Sequence, residues 1–155
     1  VRGRFAALTF ALFASACSPS IEGVDKVVLD DAIGAAIGDY NTCVLLVDAK
    51  GDVAWRYGTR MTCARQLPAC AADGGVTTVD LLAEAAATKG FETNISCPSK
   101  PDGSTTVGWA AGPVKAADGA THEPLFYAAV MEGERALPGR EIRLRLERAL
   151  SKAGV

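Results

Sequence analysis

The sequence predicts an α+β fold, an antiparallel sheet flanked by an N-terminal and a C-terminal helix, and three patterns carry that expectation. Thr42–Asp48 and Pro124–Glu132 are apolar runs of strand length, rich in β-formers. Ala49-Lys50-Gly51-Asp52 is turn chemistry between the first run and a returning segment, which makes a β-hairpin. Amphipathic stretches with helical spacing open and close the chain, and packing both on one face of the sheet buries every apolar stripe.

Residues 1–17 read as a leader. Arg2 and Arg4 precede a short apolar run, Phe5 to Ala14, which is too short to span a bilayer as a stable helix. Ala14-Ser15-Ala16-Cys17 is close to a lipoprotein processing box, with alanine where leucine gives the stronger signal, so Cys17 is the candidate lipidation site. Lipid there tethers a domain to a membrane face without embedding it. Residues 18–23 follow as a polar tether, and residues 24–155 form a single domain. The expected location is exported and periplasmic, anchored through that lipid.

Leu29, Ile33, Ala36 and Ile37 recur with helical spacing between Val24 and Gly38, leaving Asp25, Asp30 and Asp31 to water. Val53, Trp55 and Tyr57 alternate along the returning hairpin strand. In the middle, Thr77 or Thr78 caps a helix that runs to Lys89 and stops at Gly90, and a strand is expected around Thr93–Cys97. Thr105, Val107, Trp109 and Ala111 then give a strand with one apolar face. Leu137-Pro138-Gly139 introduces the last helix. Its stripe is Ile142, Leu146, Ala149, Leu150 and Ala153, with Arg140, Arg143, Arg145 and Arg148 on or near the solvent side.

With 155 residues, 49% of them hydrophobic and 22% charged, the chain has the material for one core. Net charge is −2, and cations are scattered except in the last helix, which argues against nucleic-acid binding. Setting Cys17 aside leaves Cys43, Cys63, Cys70 and Cys97, an even set suited to an oxidising compartment. Three pairings are open; one is Cys43–Cys63 with Cys70–Cys97. No Cys-x-x-Cys occurs and the single histidine, His122, is distant, so no metal site is expected. His122 is expected in a solvated turn, and Trp55 and Trp109 in sheet packing.

The succession from Tyr40 through the hairpin to Cys63-Ala-Arg-Gln-Leu-Pro-Ala-Cys70 resembles the lead-in to the active-site serine of class D (oxacillinase-type) serine β-lactamases and related penicillin-recognising domains. Val107-Gly108-Trp109, Phe126–Met131 and Leu137-Pro138-Gly139-Arg140 resemble that family's last two strands and closing helix. The resemblance covers both ends of the domain and not its middle. It implies a sheet subdomain whose helical counterpart is largely missing, because Cys70 to Thr105 is too short to hold one. It implies a β-lactam or a peptidoglycan peptide as ligand class, and no cofactor.

The family's Ser-x-x-Lys, however, falls on Ala71-Ala72-Asp73-Gly74. Ala71 stands for the nucleophile and Gly74 for the base, and neither can serve. Lys100-Pro101-Asp102-Gly103 keeps only a lysine and a later glycine of the family's Lys-[Thr/Ser]-Gly. The sequence therefore points to a truncated, catalytically degenerate relative, a pseudoenzyme. One alternative is an active or weakly acylating β-lactamase with a less obvious nucleophile, for which Cys97-Pro98-Ser99-Lys100 has the spacing. Another is a lipid-anchored envelope binding or structural protein without enzyme ancestry.

Overall fold

A computed structural model describes residues 20–155; the leader and Cys17 lie outside them. The order is α1 (Lys26–Ile37), β1 (Thr42–Val47), β2 (Val53–Tyr57), α2 (Arg60–Cys63), β3 (Leu67–Pro68), β4 (Val76–Thr77), α3 (Val79–Lys89), β5 (Ser96–Pro98), β6 (Thr106–Pro113), β7 (Phe126–Gly133) and α4 (Gly139–Lys152). Five strands form one antiparallel sheet in the order β2-β1-β7-β6-β5, and β3 and β4 form a separate small hairpin. The α+β architecture with a helix at each end of the domain is thus present.

α1 begins where the Asp25 carboxylate accepts from the Val27 N–H at 2.8 Å, a side-chain cap. Leu29, Ile33 and Ile37 of α1 and Ile142, Leu146 and Leu150 of α4 pack together over Val44, Leu46 and Tyr127. Two departures from the sequence reading occur here. Ile21, placed in the polar tether, is buried in this core, so the described part of that segment is packed onto the domain. Asp30, expected to face water alone, accepts from the Trp55 indole N–H at 3.1 Å as well as from Lys26.

The sheet's second face is also covered. α3 lies over β1, β7 and β6, and Val79, Ala83 and Ala86 meet Leu45, Val47, Trp109 and Val130. Its predicted boundaries hold: Thr78 Oγ1 accepts from the Leu81 N–H and Gly90 ends the helix in the left-handed region. With helices on both sides, β6 is buried on both faces, where one apolar face was expected. The alternation along β2 is interrupted too. Val47 pairs with Val53 but Leu46 with Trp55, so a bulge at Ala54 sends Val53 to the α3 face and Trp55 to the α1 face.

The disulfides are Cys43–Cys63, which ties α2 to β1, and Cys70–Cys97, which ties the β3–β4 hairpin to β5. Four half-cystines on the α3 side staple what one short helix covers. The pairs fit an oxidising compartment. Among the described residues, no helix is long and apolar enough to cross a membrane.

Candidate functional site

A cleft of about 550 Å³ opens at the end of the sheet where β1 begins and β7 ends. Thr42 is fixed there because its hydroxyl donates to the Ile37 carbonyl at 2.9 Å and its N–H to Asp39. Gly58 lets β2 leave over this corner: its φ is +94°, and a β-carbon would strike the Thr42 carbonyl oxygen.

Glu132, at the end of β7, is the organising group. Its side chain is only 10% exposed, yet both oxygens are used. Arg65 Nη2 donates to Oε2 at 3.0 Å, and Ser99 Oγ donates to Oε1 at 2.7 Å. Ser99 Oγ also lies 2.6 Å from Thr105 Oγ1. Arg65 reaches this point because the Cys43–Cys63 bond and the Thr59 cap fix α2, from which it follows. Ser99 and Thr105 are held by the turn after β5, where the Ser99 N–H donates to the Thr105 carbonyl.

Burial pushes the Glu132 pKa up, but the Ser99 and Arg65 hydrogen bonds and the Arg65 charge outweigh it and hold the carboxyl below its ordinary value. Glu132 is an anion at neutral pH with a hydrogen bond on each oxygen. It is a poor base for the Ser99 hydroxyl. Around it the cleft carries Arg65, Lys100 and Arg135 against Asp39, Glu132 and Glu134, with Arg135 3.5 Å from Asp39. Such a lining can hold a small polar or zwitterionic molecule.

Ala71 and Gly74, the positions that the resemblance assigns to nucleophile and base, are elsewhere. They close the exposed turn of the β3–β4 hairpin, the Gly74 N–H donating to the Ala71 carbonyl at 3.0 Å. A β-carbon on Gly74 would have nothing within 4 Å. Cys97 has no thiol to offer, being bonded to Cys70.

The other motif residues of the resemblance are packing residues. Gly108 and Gly139 let α4 begin directly on β6, since β-carbons there would overlap the Leu137 carbonyl and the Trp109 and Ile95 carbonyls respectively. Trp109 is buried and donates its indole N–H to the Pro68 carbonyl at 2.8 Å; Trp55 is buried as well. His122 departs from the solvated expectation: it is half-buried, with one ring nitrogen 2.8 Å from the Glu123 carbonyl oxygen and the other without a partner. Among the described residues, no three metal-ligating side chains cluster.

Sequence reading passed over Arg65, although it sits inside the Cys-bracketed loop, and gave Glu132 no role. The available signal was a carboxylate closing an otherwise apolar strand, which needs a partner if buried. No protein-family model, curated protein or solved structure matches this chain.

Proposed function

We propose that the chain is an exported, non-acylating relative of the class D penicillin-recognising domains, a shortened sheet subdomain that has lost the acylating chemistry. One contrast carries this reading. The glycines of the resemblance seat the closing helix on the sheet and its tryptophan packs under α3, whereas Ala71 and Gly74 occupy an exposed turn with neither nucleophile nor base. The sheet order, with both terminal helices on one face, is compatible with that subdomain. A β-lactam or peptidoglycan peptide, if bound, is held without a covalent bond, and the sheet-end cleft is the place for it. The two disulfides support export. Periplasmic anchoring through Cys17 belongs to the same proposal.

Intact mass of the oxidised protein before and after incubation with a penicillin tests it. The expected result is an unchanged mass and no loss of drug in the same tube. A mass increase of one drug molecule, or catalysed drug loss, overturns the reading, and peptide mapping of an adduct then tells Ser99 from any other hydroxyl.

A further inference from the structure

We propose that the α4 face is an electrostatic docking surface for a bilayer rich in anionic lipid. α4 carries five basic and two acidic side chains, in a chain with 16 basic and 18 acidic residues overall. Helix α4 is therefore a positive stripe on a negative molecule. Two of its acids are consumed internally: Glu147 by Arg143 at 2.9 Å and Glu141 by Arg145 at 2.7 Å. Arg148 and Lys152 are exposed, and among the described residues neither has an ion-pair partner. They sit where two shallow depressions meet. One is floored by Ala32, Ala35 and Ala36 of α1, and the other is bordered by Lys115, Asp118 and the half-exposed Leu144.

Position strengthens the charge argument. The C-terminal end of α4 and the N-terminal end of the described chain lie at the same end of the molecule. The Ala117 N–H donates to the Val155 carbonyl, and the β6–β7 connection continues to Thr121, whose Oγ1 lies 3.1 Å from where a β-carbon on Gly23 would be. The first turn of α1, just beyond Gly23, exposes Val27 and Val28, 66% and 49% accessible. Cations with apolar side chains at their margin suit a headgroup boundary, where each Lys or Arg near an anionic surface contributes roughly fivefold in partitioning. The opposite layer offers no such stripe: α3 carries Asp80, Glu84 and Lys89. Docking of this kind stands whether or not Cys17 is lipidated.

The test is sedimentation of the full chain with phosphatidylcholine vesicles and with vesicles containing phosphatidylglycerol, at low and raised salt. Binding to neutral vesicles measures any apolar or lipid anchor; the increment on adding phosphatidylglycerol measures this surface. The increment is expected to exceed roughly 25-fold at low salt and to collapse at raised salt. The double variant Arg148→Gln, Lys152→Gln is expected to lower it roughly 25-fold. Lys50→Gln, Lys89→Gln, the same charge change elsewhere, is expected to leave it within about twofold. No increment, a salt-independent increment, or equal losses in both double variants overturns the proposal. So does a dimer, in vesicle-free sedimentation, that only the α4 variant dissolves, since a second copy then covers the face.

Discussion

The two faces of the sheet are held by different means. Over one, α1 and α4 interlock large aliphatic side chains from 12- and 14-residue helices. Over the other, 11-residue α3 contributes mainly Val79 and two alanines, and both disulfides lie on that side. Small side chains allow α3 a close approach but bury little area per residue, so covalent links that restrict the unfolded chain do more of the holding there. Oxidation state should therefore separate the layers.

The largest expected effect is reduction. Each bridge closes a loop of 20 or 27 residues, and its loss is expected to cost about 3 kcal/mol in urea unfolding. Hydrogen exchange of the reduced protein should show α3 amides opening while those of α1 and α4 stay protected. Uniform exchange in both layers would mean a single cooperative unit and dissolve the contrast.

Next comes Glu132→Gln, on the α3 side of β7. Losing charge-assisted hydrogen bonds from Ser99 and Arg65 is expected to cost about 1.5–3 kcal/mol at neutral pH. The sign of the pH dependence follows from the depressed pKa. The stabilisation is present above the unfolded value, near 4.5, and is lost as pH falls through the folded value. The wild type should lose its advantage over the variant in that acid window; a constant difference down to low pH would remove Glu132 as the cause.

The smallest effect belongs to the other face. Tyr127 is buried under α4 with no hydrogen-bond partner for its hydroxyl, and burial, then the Glu147 charge, pushes its pKa up to about 12. Tyr127→Phe is expected to be neutral or stabilising by up to about 1 kcal/mol at pH 7. A raised pKa means stability intact below pH 10 and lost towards pH 12, on the order of 1 kcal/mol per pH unit. The phenylalanine variant should lack that alkaline loss, read from urea midpoints against pH.

What could be read from sequence divides along the same lines as distance in the chain. The caps of α3 at Thr78 and Gly90, the hairpin and the stripe of α4 are local patterns, and all are present. The bulge that turns Val53 away from Trp55 has no such pattern, because it depends on how β2 registers on β1. The site is less legible still. Glu132 meets Arg65 across 67 residues and Ser99 across 33, so only the folded sheet brings them together. Ile21 escaped for a related reason: one apolar residue among polar ones shows no period.

The pairing of β1 with β7 also bears on how the chain reaches its folded form. Thr42 pairs with Met131, so the centre of the sheet joins an early segment to a late one. A chain delivered N-terminus first can form α1, the β1–β2 hairpin and the nearby Cys43–Cys63 bond on arrival, but β1 has no central partner until β7 has followed. During that interval an apolar strand stands with an open edge, vulnerable to pairing with a neighbouring chain. Yield in cells should therefore depend on how quickly the last third of the polypeptide follows the first, and on helpers that shield β1 meanwhile.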